Sequence, residues 1–195
     1  MPTVNDPLVP LQWHLSMVGQ LGFGTGGTGL VGLERVWADY RGQNVHVGQW
    51  DVGVQTSHWD LAANYDASRQ LVIEGTLNDG LPLFVGFNEH GTAVAGLIAA
   101  ARNGIGGVGV AYEAGLTSVR VLGGADDLST QFPRYLLTLD HLSDFDVTNH
   151  SYGSLPTFVV DQDQARFAAA AESGRNGLGT VMVYASGNNN TDANG

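Results

Sequence analysis

The chain has 195 residues and a formal net charge of −11, because 19 acidic residues face only eight basic ones, all of them arginine. This acidic balance disfavours binding to a nucleic-acid backbone. Hydrophobic residues make up 43% of the chain and charged residues 14%, which excludes an intrinsically disordered protein. The absence of cysteine excludes disulfides, thiolate metal sites and a cysteine nucleophile. No apolar run reaches the roughly 18 residues of a membrane helix, so neither nucleic acid nor membrane is expected as a partner.

Apolar periodicity predicts short strands that alternate with helices after an N-terminal arm of about thirty residues. The predicted helices cover residues 30–40, 90–102, 128–142 and 161–173. The predicted strands cover residues 44–50, 108–112, 117–122, a run that starts near residue 146, and 180–186. Because this alternation requires crossover connections, it predicts an α/β fold with a mostly parallel sheet that is covered on both faces. The helix over 90–102 is rich in alanine and is predicted to be buried.

Two residues at the ends of predicted elements are candidates for catalysis. Asp51 directly follows the first predicted strand, at the carboxyl edge of the sheet where ligands bind, and its carboxylate could orient a histidine. His90 opens the helix HGTAVAG, and the positive end of a helix dipole favours the neutral imidazole that a general base requires. Each residue taken alone would more often be a turn or helix cap. The other histidines are predicted to be structural or solvated: His14, His46, His58, His141 and His150.

Asn188 follows the last predicted strand in the sequence ASGN. Gly187 allows a sharp turn there, and the side-chain amide could donate a hydrogen bond to a developing oxyanion. By itself, an asparagine in such a loop is usually structural. The glycines at positions 22, 24 and 27 formally match a dinucleotide-binding fingerprint, but no predicted strand leads into them, so we discount that cofactor.

Together, in the chain order Asp, His, Asn, these motifs resemble the subtilisin superfamily of serine peptidases (peptidase S8), most closely its kexin-like branch. The resemblance rests on VGQWDVGV, EHGTAVAGLIAAARNGIGGVGVAY, NHSYGS and GRNGLGTVMVYASGN. It implies a subtilisin-like fold and an endopeptidase with an Asp, His and Ser triad. Carried over by position, it implies that Asp51 orients the imidazole, His90 acts as general base and then acid, and Asn188 stabilises the oxyanion.

The resemblance also implies where a polypeptide substrate would bind. The segment that contains Ser151 and Gly153 would pair with an extended peptide as an added strand, and Leu122 and Gly124 would line the opposite side.

The positions at which kexin-like enzymes carry acidic side chains for basic residues are occupied differently here. They are Val52, Phe87 and residues 155–157, which read LPT. The acidic pocket is therefore mostly missing, and we predict that cleavage after dibasic pairs is not the native activity.

The nucleophile is the part of the triad that these residues do not supply. The family's serine lies in a G-T-S-x-[AS] motif several dozen residues after the oxyanion asparagine, and none of the ten serines here has that context. We therefore expect residues 1–195 to be the N-terminal portion of a single catalytic domain, with the serine beyond residue 195 and further C-terminal domains as candidate partners. Two alternatives stay open: an inactive relative that serves as a binding or scaffold module, and a fragment that a partner chain completes. The family implies an extracellular location, although the chain carries no signal-peptide pattern.

A structural calcium site is the second implication of the resemblance. Its ligands would come from an N-terminal side chain, an aspartate nine residues after Asp51, and the loop that follows the helix of His90. In this sequence these residues are Asp6, Asp60, Ala101, Asn103, Ile105 and Gly107. Carboxylate, amide and carbonyl oxygens suit a hard cation that accepts roughly six to eight ligands. In isolation, Asn103 and the glycine after it would indicate only a helix C-cap turn.

Overall fold

The computed structural model describes residues 4–12, 14–15, 33–83, 89–122, 128–153 and 160–188. The helices are α1 (Leu33–Asp39), α2 (His90–Ala99), α3 (Leu128–Leu139) and α4 (Val160–Gly177). The strands are β1 (His46–Asp51), β2 (Val72–Ile73), β3 (Thr76–Leu77), β4 (Gly115–Arg120), β5 (Val147–His150) and β6 (Val181–Tyr184). Among the helices of these residues, none is both long and apolar enough to cross a membrane.

Four of the strands form one parallel sheet in the order β4-β1-β5-β6. Strands β2 and β3 form a separate antiparallel pair. Because the four strands of the main sheet run in the same direction, their last residues, Asp51, Arg120, His150 and Tyr184, lie along one edge. The predicted site residues that follow strands therefore gather at this carboxyl edge.

The main sheet is covered on both faces, as predicted. Side chains alternate along β1, so Val47 packs with Ala95 and Ala99 of α2 on one face. On the other face, the buried Trp50 packs in one cluster with residues of α3 and α4, among them Leu139. Burial of these apolar groups on two sides holds β1 at the centre of the domain.

Two predictions about single elements are wrong. Residues 108–112 do not form a strand. Instead, Val108 and Tyr112 pack with Leu15 of the N-terminal arm and Trp37 of α1, so these apolar residues serve a satellite core and not the sheet. The second is the helix predicted over residues 90–102 to be buried. Helix α2 ends at Ala99 and buries only one face, as the 47% exposure of Leu97 shows.

Helix α4 keeps a regular helical backbone as far as Ser173, where the predicted helix also ends. Arg175 and Asn176 then adopt positive φ angles of 50° and 57°. The turn predicted from the glycine-bearing sequence before β6 is therefore present, inside the nominal bounds of α4.

One buried histidine lies inside the sheet. His150, the last residue of β5, is fully buried, and its ring stacks on those of Trp50 in β1 and Tyr184 in β6. Burial lowers the pKa of His150 from 6.5 to about 3, because a charged imidazole would lose its hydration there. The prediction of a structural role therefore holds for this histidine.

We expect His150 to make the folded protein sensitive to acid. The unfolded chain binds a proton on this imidazole below about pH 6.5, whereas the folded chain does so only near pH 3. The unfolded state therefore binds more protons in this window, and the free energy of unfolding should fall as the pH is lowered from 6.5 towards 3. Denaturant titrations at a series of pH values measure this slope. The variant His150→Phe should have a shallower slope, and an unchanged slope would contradict the assignment.

Candidate active site

Asp51 and His90 form a hydrogen-bonded pair at the carboxyl edge of the sheet. Asp51 ends β1 and His90 begins α2, and the Nδ1 atom of His90 lies 2.8 Å from Oδ1 of Asp51. The Asp51 side chain is 1% exposed and that of His90 is 52% exposed, so the pair has a buried end and an open end. Because the carboxylate engages Nδ1, Nε2 is the ring nitrogen left for proton transfer.

The buried carboxylate is fixed by the backbone around it. Its Oδ1 atom accepts a hydrogen bond of 2.7 Å from the N–H of Val52. The carbonyl of Asp51 accepts hydrogen bonds from the N–H groups of Val121, at 2.9 Å, and Leu122, at 3.3 Å, which continue the chain from β4. These contacts leave the Asp51 carboxylate few alternative orientations. A fixed carboxylate is needed to hold the imidazole of His90 in one orientation.

The start of α2 is anchored directly on β1 and the turn after it. The side-chain amide of Gln49 donates a hydrogen bond of 2.7 Å to the carbonyl of Gly91. A Cβ atom on Gly91 would lie 2.2 Å from the carbonyl oxygen of Gly53, so only glycine permits this approach. Sequence reasoning missed Gln49, although its place two residues before Asp51 puts it on the same face of β1.

Asn188 also lies at the carboxyl edge, four residues after the end of β6. Gly187 before it has a φ of +88°, a left-handed conformation that glycine adopts without strain. Asn188 is exposed. The fold therefore brings the three predicted catalytic residues to one edge, from β1, α2 and the loop after β6.

The predicted substrate-binding residues lie on both sides of Asp51. Ser151 and Gly153 follow β5, and Leu122 follows β4, and these two strands flank β1. The hydroxyl of Ser151 accepts a hydrogen bond of 2.9 Å from the side chain of Asn149. A Cβ atom on Gly153 would meet nothing within 4 Å among the described residues, so the backbone is open with respect to them. Gly124 lies outside the described residues.

The positions that bear on selection of basic residues are only partly described. Val52 is half-buried beside Asp51 and donates to its carboxylate. Phe87 and residues 155–157 lie outside the described residues.

The predicted calcium ligands surround two buried carboxylates, Asp6 and Asp60, which are 3% and 6% exposed. Oδ1 of Asp6 accepts hydrogen bonds from the N–H groups of Asn103, at 3.1 Å, and Gly104, at 3.0 Å. Oδ2 of Asp60 accepts one of 3.0 Å from the N–H of Gly107. The second oxygens, Oδ2 of Asp6 and Oδ1 of Asp60, are buried and find no hydrogen-bond partner among the described residues.

The electrostatics of Asp60 are those of a crowded acidic site. Burial raises its pKa, the hydrogen bond from the N–H of Gly107 opposes that shift, and the nearby Asp6 carboxylate adds to it. Two buried carboxylates with unsatisfied oxygens are costly unless a positive charge lies between them.

The remaining predicted ligands belong to the loop after α2, which is tied to both carboxylates. The N–H of Ala101 donates a hydrogen bond of 2.7 Å to the carbonyl of Asp60, and the N–H of Ile105 donates one of 3.0 Å to the side chain of Asn103. Within the described ranges no three His, Cys, Asp or Glu side chains cluster as a metal site. A cation here would therefore depend on amide and carbonyl oxygens beside two carboxylates, a donor set that suits calcium better than zinc.

Residues 42–195 match the model of the subtilase family. The chain is 38% identical over 190 residues to endoprotease bli-4 of Caenorhabditis elegans and 34% identical over 193 residues to furin of Homo sapiens. Both alignments cover 94% of this chain but only 19% and 23% of the relative, so the chain spans about a fifth to a quarter of the length of these proteins.

Solved structures of proteases resemble the fold. The crystal structure of the serine protease of Aeromonas sobria has a TM-score of 0.73 at 32% identity, covering 96% of this chain and 33% of that chain. Fervidolysin from Fervidobacterium pennivorans has a TM-score of 0.64 at 23% identity, covering 95% of this chain and 26% of that chain, and this likeness concerns the fold alone. The prediction of a subtilisin-like α/β fold is confirmed.

We expect Gly91→Ala to disturb the pair of Asp51 and His90. The new methyl would lie 2.2 Å from the carbonyl oxygen of Gly53 and 3.2 Å from Oδ1 of Asp51, so the start of α2 must move outward. The expected cost is about 1–3 kcal/mol of the free energy of unfolding, measured by denaturant titration. Gly96→Ala in the same helix is the matched control, because its methyl would meet nothing within 4 Å in the part of the chain that the structure describes. This control should gain about 0.5–1 kcal/mol. Equal behaviour of the two variants would refute the close approach.

Proposed function

The chain belongs to the subtilase family, and on this premise we propose that it carries the N-terminal part of the catalytic domain of a serine endopeptidase. The relatives that it resembles include two endoproteases of the kexin-like branch, bli-4 and furin. The observation that carries the proposal is the buried carboxylate of Asp51, which lies 2.8 Å from the half-exposed imidazole of His90. The proposed substrate is a polypeptide.

In the proposed mechanism, His90 first accepts a proton from the serine hydroxyl and then passes it to the leaving amine. Asp51 keeps the proton on Nδ1 of His90, so the lone pair is on Nε2. Nε2 accepts the proton of the serine hydroxyl while the serine oxygen bonds to the peptide carbonyl carbon, and the carbonyl electron pair moves to its oxygen. The amide of Asn188 and a backbone N–H would donate hydrogen bonds to that oxyanion. When the C–N bond breaks, Nε2–H protonates the leaving amine, and water then cleaves the acyl-enzyme by the same steps.

The substrate would lie as an extended strand beside Asp51. The open backbone at Gly153, in the segment that begins with Ser151, would pair with the peptide, and Leu122 and Gly124 would line the other side. Because such pairing uses backbone groups, it would align the carbonyl of many different sequences with the catalytic pair.

The nucleophile in this proposal is a serine C-terminal to residue 195. None of the ten serines in the chain has the family's motif. Ser118, for instance, is fully buried in β4, and its hydroxyl donates a hydrogen bond of 2.8 Å to the carbonyl of Gly80. An inactive relative that binds peptides without cleaving them would share every feature described above except the serine, so the nucleophile is the feature to test.

Fluorophosphonate labelling of the full-length protein, followed by peptide mapping, tests for an activated serine. We expect an adduct on a serine C-terminal to residue 195 and no adduct in His90→Ala. His141→Ala is the matched control and should label normally, because that ring pairs with Asp144 in the segment that precedes β5, far from the carboxyl edge. Asn188→Ala should still label, but kcat should fall by about 10² to 10³, a magnitude established on subtilisin itself.

Two results would contradict this proposal. Folded wild-type protein that forms no adduct would favour the inactive binding module, and an adduct on one of the ten serines of this chain would show that the nucleophile is assigned wrongly.

We also propose that a structural calcium ion binds between the N-terminal arm and the loop after α2. Its support is the pair of unsatisfied buried oxygens of Asp6 and Asp60. The other proposed ligands are Ala101, Asn103, Ile105 and Gly107, whose carbonyl or amide oxygens belong to the same loop. The ion would neutralise two buried charges and fasten the arm to the domain. An extracellular location would suit such a site, because sites in extracellular modules work at calcium levels of about 10⁻⁴ to 10⁻³ M.

Calcium should raise the Tm of the protein, and Asp60→Asn should abolish most of that increase. The amide keeps an oxygen to accept from the N–H of Gly107 but lacks the negative charge that the ion requires. Differential scanning calorimetry with calcium and with a chelator measures the shift. Asp39→Asn, at the exposed end of α1, is the matched control and should respond to calcium as the wild type does. A calcium response that survives in Asp60→Asn would exclude this site.

A further inference from the structure

Three stacked rings cross the sheet one residue before the candidate site. Trp50, His150 and Tyr184 are register partners on β1, β5 and β6. The His150 ring centroid is 5.2 Å from that of Trp50, with 29° between the planes, and 4.1 Å from that of Tyr184, with 4° between the planes. Because side chains alternate along a strand, this ring row lies on the face of the sheet opposite the Asp51 side chain and α2.

The central ring of this row uses both of its nitrogens. Nδ1 of His150 lies 2.8 Å from the hydroxyl of Tyr152, and Nε2 lies 3.0 Å from the hydroxyl of Thr148. Each hydroxyl can donate or accept, so a neutral imidazole satisfies both contacts with one N–H and one lone pair. The hydroxyl of Tyr152 also lies 3.3 Å from that of Tyr135 in α3. The network therefore fixes the rotamer of Tyr152 from two sides.

Tyr152 is the middle residue of the segment formed by residues 151–153. In the described sheet, the last register pair of β5 is His150 with Tyr184, and residues 151–153 pair with no strand there. Its path is therefore determined by the ring row that ends β5 and by the anchored side chain of Tyr152. The hydroxyl of the half-buried Tyr152 contacts the imidazole of His150 and the hydroxyl of Tyr135. Breaking the first contact would leave a nitrogen of the fully buried His150 ring unsatisfied, which is costly inside the protein.

We propose that His150 is a positioning residue for peptide binding and acts through Tyr152. The inference rests on the proposed function, because it assigns residues 151–153 to the substrate edge. His150 is fully buried and does not touch the substrate, so it influences only the path of that segment. The pair of Asp51 and His90 lies on the other face of the sheet. Loss of the hydrogen bond between His150 and Tyr152 should therefore weaken peptide binding and leave proton transfer nearly unchanged.

The variant His150→Phe keeps a ring in the stack and removes both hydrogen bonds. In the full-length protein, we expect KM for a peptide substrate to rise about tenfold, as expected for one buried hydrogen bond. The kcat and the rate of fluorophosphonate labelling should stay within about threefold of wild type. Tyr152→Phe removes the same hydrogen bond from the other side and should raise KM similarly, even if His150→Phe folds poorly. The double variant should raise KM no more than the larger single effect, because both changes break the same hydrogen bond between His150 and Tyr152.

Thr148→Val is the matched control, since it breaks the other hydrogen bond of His150, the one that does not reach the substrate segment. It should lower the Tm but leave KM within about twofold of wild type. A role in stability alone predicts a lower Tm in His150→Phe with an unchanged KM, and that result would overturn the inference. KM effects that multiply in the double variant would also overturn it. In both cases the wild type still labels and cleaves, whereas failure of the proposed function appears as a folded wild-type protein that does neither.

Discussion

The first turn of α2 packs against the end of β1 and the turn after it. The approach is so close that the Cα of Gly91 has room for a hydrogen atom but not for a side chain. A methyl group there would lie 2.2 Å from a backbone carbonyl in the turn after Asp51. This contact, with the hydrogen bond from Gln49, places the first residue of the helix beside the last residue of the strand. The geometry of Asp51 and His90 therefore depends on backbone packing as well as on the two side chains themselves. A small displacement of α2 would separate a pair that now lies at 2.8 Å.

The two faces of β1 serve different purposes at the same edge of the sheet. Asp51 and Gln49 point toward α2 and determine where the imidazole lies. One residue earlier, Trp50 points to the opposite face and begins the row of rings that continues through β5 and β6. The Asp51 side chain and the ring of Trp50 thus belong to neighbouring residues of one strand but are supported by different layers. This separation is the basis of the proposal that changes in the ring row alter peptide binding without moving the pair of Asp51 and His90.

The described residues of the N-terminal arm contact the satellite core and the loop that follows α2. Leu15 is buried beside Trp37 and Val108, and Asp6 binds the loop that follows the helix. Burial raises the pKa of Asp60, and repulsion from the nearby Asp6 carboxylate adds to that shift. A cation between them would relieve that repulsion and make the arm a stabilising element for the helix that carries His90.

The sequence by itself determined the fold class, the order of most elements and the residues that reach the carboxyl edge. These are local properties: strand and helix periodicity, glycine turns such as that before β6, and short motifs around Asp51, His90 and Asn188. It misjudged residues 108–112, whose β-branched pattern serves packing with Trp37 and not a strand. Only the tertiary structure decided the approach of α2 to β1 and the place of His150 in the row of rings. Trp50 and His150 are 100 positions apart, and nothing in either segment reveals that they are register partners. Register depends on how whole strands pair and pack, and that information is spread over the chain.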